Sequence, residues 1–203
     1  MTSAILKPVL LILSLLSLSL LSCTTEKPAD TTASSNPRVV IDTNRGAIEV
    51  ELYPQQAPKT VANFLNYVKQ DFYSGTVFHR VIKGFMIQGG GFTPELERKD
   101  TLAPVENEAF NGLPNKRGSI AMARTNQPHS ATSQFFINTV DNAFLNFRSK
   151  SMRGWGYTVF GQVIKGMDAV ERIENSRTGA GGVFSQDVPQ DTVIINSIKI
   201  IQP

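Results

Sequence analysis

Apolar and polar residues alternate clearly at Ile48, Val50 and Leu52, which are interleaved with Glu49 and Glu51. A period of two gives a strand one wet face and one dry face. Val39, Val40 and Ile41 form an apolar run just upstream. Asn44, Arg45 and Gly46 supply a turn between the two segments, so a β-hairpin is predicted. The period then changes. Val61, Phe64, Leu65 and Val68 recur at helical spacing, which predicts an amphipathic helix over residues 58–68. Pro58 sits at its start, where a missing N–H is tolerated. A second, shorter helix is predicted over residues 166–173, with Met167, Val170 and Ile173 on one face. Between the helices the apolar runs are short and broken by Gly, Pro and Asn. They fall at residues 77–78, 85–87, 120–122, 135–137 and 159–160. A closing strand over residues 193–201 would bury Val193 and Ile195, with Ile198 and Ile200 as further inward candidates. Many short strands with two helices predict a closed or sandwich-like antiparallel sheet, and periodicity does not choose between these. The chain has no internal repeat.

The first residues follow another pattern. Lys7 precedes VLLILSLLSLSLLS, a run short for a membrane span and followed at once by polar sequence. This is a secretory signal over residues 1–22. It ends in Leu20, Leu21, Ser22 and Cys23, and Cys23 is the only cysteine of the chain. The tetrad resembles the lipobox of bacterial lipoproteins. The resemblance implies cleavage before Cys23, diacylglycerol on its thiol and a third acyl chain on its amine. Two or more chains anchor stably where one does not. Residues 23–37 are then the lipidated cysteine and a flexible tether rich in Thr, Ser, Ala and Pro. Thr24, where an Asp would favour retention, resembles outer-membrane sorting in Gram-negative bacteria. The expected location is the bacterial cell envelope, at the periplasmic face of the outer membrane. The folded domain is expected over residues 38–203, stabilised by its core, since no disulfide is available.

Composition narrows the chemistry. The chain has 203 residues, formal net charge +3, 41% hydrophobic and 18% charged residues, an ordinary globular balance. No Lys/Arg run or aromatic-interleaved basic stripe occurs, which argues against nucleic acid. Two histidines, His79 and His129, and a lone cysteine argue against a Cys/His metal site. No Gly-x-Ser-x-Gly elbow is present. Gly89, Gly90 and Gly91 lack a following Lys-Ser/Thr, so they suit a tight turn or bulge better than a phosphate cradle. What remains is a set of aromatics, Met, Gln and Arg80, suited to a non-covalent reaction or a peptide groove.

The stretch FHRVIKGFMIQGG, residues 78–90, resembles the signature of the cyclophilin family. GSIAMA (118–123), SQFFI (133–137) and VFGQVIKGM (159–167) agree with it in order and spacing. The resemblance spans residues 39–201. It implies a mostly β fold, a closed eight-stranded antiparallel β-barrel capped by two α-helices, and a groove on the outside. It also implies a peptidyl-prolyl cis/trans isomerase that needs no cofactor or metal. The amide's double-bond character raises a barrier of about 20 kcal/mol to rotation. A catalyst must bind the twisted amide better than either planar form.

On that resemblance, Arg80, Gln88 and Phe85 are the catalytic residues. The Arg80 guanidinium would reach the proline carbonyl and the nitrogen that loses conjugation. Phe85, Met86, Phe136 and Leu145 would hold the proline ring by area burial. Phe135, pointing the other way along a strand, would be core. Gln88 would bond substrate backbone and orient Arg80. Gln134 would line the groove, Ala123 and Arg124 would pair with peptide backbone, and Phe144 and Tyr157 would complete the binding set. Arg124 stands where many members carry Asn, and its side chain is expected to add a preference for acidic residues near the proline. Phe144 stands where many eukaryotic members carry tryptophan, so weak cyclosporin inhibition is expected. Tyr157 replaces a groove histidine of those members, with Gly156 as in bacterial ones. His79 is expected to be structural, because the reaction transfers no proton. Residues 146–155 carry Arg148, Lys150 and Arg153 and form either a basic lip or a solvated loop. Residues 179–187 form a loop with no assigned role.

The partners expected are proline-containing polypeptides, among them exported proteins in need of folding, and the membrane through the lipid on Cys23. A monomer is expected. The competing reading keeps the same fold as a proline-directed binding module or chaperone without significant turnover. Arg80 argues against it, since a pure binder does not need that guanidinium. A cytosolic isomerase is argued against by the signal and Cys23.

Overall fold

The computed structural model describes residues 1–2 and 36–202. The signal core, Cys23 and the tether through residue 35 lie outside the described residues. The elements run β1 (Arg38–Thr43), β2 (Gly46–Leu52), α1 (Pro58–Lys69), β3 (Arg80–Ile82), β4 (Met86–Gly89), β5 (Ser119–Met122), β6 (Phe135–Asn138), β7 (Val159–Lys165), α2 (Met167–Glu174), β8 (Thr178–Gly181), β9 (Phe184–Pro189) and β10 (Ile195–Gln202). Among the described residues no helix is long and apolar enough to cross a membrane.

Eight strands form one antiparallel sheet in the order β10-β1-β2-β7-β5-β6-β4-β3. The sheet is strongly curled but open, which corrects the closed barrel expected from the sequence. A barrel closes only when its edge strands share a ladder. Here β10 and β3 are edges, and the chain before β3 meets the start of β10 only through an isolated bridge between Val77 and Ile194 and a few flanking amide bonds. β3 is three residues long, and β9, from a separate two-stranded hairpin with β8, packs beside it. Residues 179–187, expected as a loop, therefore belong to that hairpin. Residues 77–78 make the bridge rather than a regular strand.

The concave face holds the core. Val39, Ile41, Ile48, Val50 and Leu52 of the first hairpin are fully buried, as the alternation predicts. α1 adds Val61, Phe64 and Val68, and α2 adds Ala169, Val170 and Ile173. The Phe64 ring lies 5.3–5.7 Å from those of Tyr73, Phe135 and Phe160. Val193 is buried just before β10, and the strand buries Ile195 and then Ile198, a change of phase. A register shift places Ser197 opposite Asp42 but Ile195 opposite Thr43, and the extra residue turns the later positions to the opposite parity.

The first turn of α1 has no side-chain cap of its own, because Ala57 precedes Pro58. The buried Glu108 supplies it from a distant loop. Its carboxylate accepts from the Lys59 amide at 3.1 Å, the Thr60 amide at 2.8 Å and the Thr60 hydroxyl at 2.7 Å. A carboxylate there satisfies orphan N–H groups and complements the helix dipole.

Candidate active site

The site is written across the sheet by register. Arg80 on β3 pairs with Gln88 on β4, Gln88 with Phe136 on β6, and Phe136 with Ala121 on β5. Directly opposed residues share a face, so this row stands on one side of the sheet. The next row, Val81, Ile87, Ile137 and Ile120, points the other way and is fully or almost fully buried in the core. The same alternation separates Phe135, packed against Phe64, Tyr73 and Phe78, from Phe136, which joins Met86, Ala121, Leu145 and Val159 in a second, smaller cluster.

Above that cluster is a cavity of about 120 Å³. Phe85, Met86, Phe136, Leu145 and Tyr157 make its apolar part, and Arg80, Gln88, Ala123 and Arg124 its polar part. Nine of the eleven residues expected at the site thus line one cavity. Gln134 lines a neighbouring one of about 160 Å³, together with Gln88 and Arg124. Phe144 lines another of about 500 Å³ with Met152 and Arg153, and its exposed ring stacks on Phe85 at 5.6 Å.

The polar groups are held in specific ways. The Gln88 amide donates to Gln134 Oε1 at 2.9 Å, so its side chain is engaged with Gln134 and not with Arg80. Gly91 makes the room in which the two glutamines meet, since a Cβ there would meet the Gln134 side chain at 2.4 Å, while Gly90, with φ +80°, lies against the Phe135 and Tyr73 rings. The Arg124 Nε donates to the Gly156 carbonyl at 2.9 Å, another guanidinium N–H bonds the Thr125 carbonyl, and the cation lies 4.5 Å over the Tyr157 ring. The Ala123 amide donates to the Gln134 carbonyl at 3.0 Å. Arg80 is partly exposed, and its Nε lies 3.6 Å from Asp187 Oδ2.

His79 is buried between Phe92 and Phe184, at 4.5 and 5.4 Å. Burial first, and the Arg80 cation second, lower its pKa to about 4. It is neutral at physiological pH and packs as an aromatic plate behind Arg80. In residues 146–155, the Arg148 and Ser149 amides donate to the Gly154 carbonyl, the Phe147 and Trp155 rings pack together, and Lys150 lies 5.2 Å over Phe110.

Sequence reading missed the supports under the groove. Asn142 Nδ2 donates to the Phe85 carbonyl at 2.9 Å and to Asn138 Oδ1 at 2.7 Å. Asn138 Nδ2 donates to Ser119 Oγ at 2.9 Å and to Asn115 Oδ1 at 3.2 Å. Asn115 Nδ2 in turn reaches the Leu145 carbonyl at 3.2 Å. This buried network ties the backbones of Phe85 and Leu145, two walls of the cavity, to β5 and β6. A fully satisfied buried network holds its members rigidly. The one available signal was Asn138, a polar residue two positions beyond Phe136 and so on the same face of β6.

The cavity is an apolar slot sized for one small ring with an arginine at its edge, the form of a site that holds part of a chain by area burial. Residues 38–200 match the family model for cyclophilin type peptidyl-prolyl cis-trans isomerase/CLD. The chain is 55% identical over 162 residues to peptidyl-prolyl cis-trans isomerase B of Escherichia coli, covering 80% of this chain and 98% of that one. It is 49% identical over 184 residues to peptidyl-prolyl cis-trans isomerase A of Dickeya dadantii, covering 91% and 94%. A crystal structure of a Cryptosporidium parvum cyclophilin type isomerase, determined in the presence of the dipeptide Ala-Pro, superposes with TM-score 0.69 at 32% identity, covering 82% of this chain and 99% of that one. The chain belongs to the cyclophilin-type peptidyl-prolyl cis-trans isomerases. It is an enzyme that accelerates rotation about Xaa-Pro peptide bonds, and the binding-module alternative gives way to it.

Proposed function

We propose that the cavity of about 120 Å³ seats the substrate's proline ring and that Arg80 is the group that accelerates rotation. The observation that carries this is the presence of the Arg80 guanidinium in the same small cavity as Phe85, Met86, Phe136 and Leu145. The apolar wall fixes the ring by area burial. The preceding carbonyl then swings while the ring stays still. As conjugation is lost, the proline nitrogen gains lone-pair character and becomes a hydrogen-bond acceptor. A guanidinium donor beside it strengthens its interaction as the amide twists, which is the differential binding that lowers a barrier. Gln88 and Gln134 bond the substrate backbone as a pair. Ala123 and Arg124 run beside the bound peptide, Tyr157 and Leu145 close the far wall, and Phe144 extends it.

Titrating an isotope-labelled sample with a short Ala-Pro peptide tests this. Amide shifts should concentrate at Phe85–Gln88, Ala123–Thr125 and Phe136, and shifts confined elsewhere would overturn the assignment. Running glutamate- and glutamine-flanked versions of the peptide side by side tests the acidic preference of Arg124. Two of its donor groups are held by backbone carbonyls, and the charge itself stays on the rim. Equal affinity for the two peptides removes that preference.

We also infer that the enzyme works as a lipoprotein of the bacterial envelope, anchored through Cys23 at the periplasmic face of the outer membrane, and assists the folding of exported proteins there. The Leu20–Cys23 tetrad behind an apolar run supports this. Growth with labelled palmitate should label the parent and leave Cys23→Ser unlabelled and out of the membrane fraction. A Cys23→Ser chain that stays with the membrane sinks the anchor.

A further inference from the structure

The segment between α2 and β10 has no part in the activity described so far, yet it touches Arg80. β8 and β9 pair with Thr178 opposite Pro189, Gly179 opposite Val188 and Gly181 opposite Phe184. The register shifts between the last two pairs, so β9 carries residues without partners on β8. Asp187 is one of them, with φ +68°. Bulges of this kind re-aim side chains and recur beside active sites. Here the bulge directs the Asp187 carboxylate towards β3, and its Oδ2 stops 3.6 Å from Arg80 Nε. Asp187 is the one acidic residue within ion-pair distance of Arg80 among the described residues.

The hairpin is also docked, and next to the same residue. The Phe184 ring packs 5.4 Å from His79, the chain neighbour of Arg80, and 5.2 Å from Phe92. Val188 and Pro189 are buried behind it. The backbone that carries Asp187 is therefore anchored on both sides by packed residues.

We propose that Asp187 is a positioning residue of the isomerase, holding Arg80 by its Nε so that the outer edge of the guanidinium faces the proline. This rests on the reading of Arg80 as the accelerating group. A free arginine samples many rotamers, whereas a planar fork restrained at one edge presents its other donors in a more constant direction. The closest approach is to Nε, at ion-pair rather than hydrogen-bond distance, which leaves the terminal nitrogens to the substrate. Small errors in the placement of a catalytic group are costly. The benefit therefore belongs to kcat and not to substrate capture.

The test uses the full chain and an Ala-Pro peptide. Asp187→Asn keeps a residue that tolerates the left-handed backbone and removes only the charge. It should lower kcat about tenfold with KM within about twofold and an unchanged Tm. Asp187→Glu should recover part of the loss. In an Arg80→Ala background, Asp187→Asn should cost nothing further, because there is no guanidinium left to hold. A kcat unchanged in Asp187→Asn, or a loss of equal size in both backgrounds, overturns the proposal while leaving Arg80 in place. Full kcat in Arg80→Ala alone overturns the reading beneath it, and this proposal with it.

Discussion

Arg80→Ala should lower kcat/KM on an Xaa-Pro peptide by about 100- to 1,000-fold, the cost of losing one preorganised donor at a developing charge. The unfolding midpoint should barely move. The Arg80 side chain is 39% exposed and makes one ion pair, with Asp187 at 3.6 Å, so its removal leaves no buried group stranded. The seat proposed for proline, built from Phe85, Met86, Phe136 and Leu145, is untouched by the substitution. Binding of an Ala-Pro peptide should consequently fall far less than turnover. Arg80→Lys should recover little, since an ammonium is a point charge without the planar fork. A coupled isomerisation assay beside a denaturant titration reads both quantities. Turnover within twofold of the parent in a folded Arg80→Ala protein would discard the guanidinium mechanism. A loss of turnover matched by an equal loss of binding would make Arg80 a substrate holder.

That separation of binding from acceleration follows from where the groups stand. The residues proposed to hold the ring come from the β4, β6 and 143–145 region and are tied together by Asn115, Asn138 and Asn142. Arg80 comes from an edge strand and is met by a different element, the β8–β9 hairpin. One half of the site is thus set by a buried polar network and the other by an ion pair on its rim.

Much of this was legible in the residues. The alternation at Ile48, Val50 and Leu52, and the helical spacing of Val61, Phe64, Leu65 and Val68, report one-sided burial directly, and the structure buries those positions except for the partly exposed Leu65. The residues that line the cavity were named through their ordered motifs, and pairing register explains why residues as far apart as Arg80 and Phe136 meet. Closure of the sheet was not legible. It depends on whether β3 and β10 share a ladder, and that is decided by a three-residue strand and by the hairpin packed beside it. Asp187 was hidden for a related reason. Its aim comes from a bulge, and an unpaired residue leaves no periodic trace. Glu108 was hidden because the helix it caps begins 50 residues earlier in the chain, at Pro58.

The second large effect separates two adjacent phenylalanines. Phe135→Ala should destabilise the fold by about 3–5 kcal/mol, the usual cost of emptying a buried aromatic site. Its ring is fully buried among Phe64, Tyr73 and Phe78, with edge-to-face contacts at 5.6–6.0 Å, and those neighbours belong to α1 and to the chain before β3. They cannot all collapse onto one point. The fraction that remains folded should turn over substrate normally, because Phe135 faces away from the groove. Phe136→Ala should reverse the balance. One side of its ring already borders the cavity, so less packing is lost, while the proline loses a wall. Burial of a side chain of that size is worth about 2 kcal/mol, which predicts a fall in kcat/KM of about 30-fold. Measuring denaturant midpoints and peptide turnover for both variants checks the alternation itself. If Phe136→Ala costs the larger stability and Phe135→Ala the larger activity, β6 is turned over, and the row from Arg80 to Phe136 cannot be the face that meets substrate.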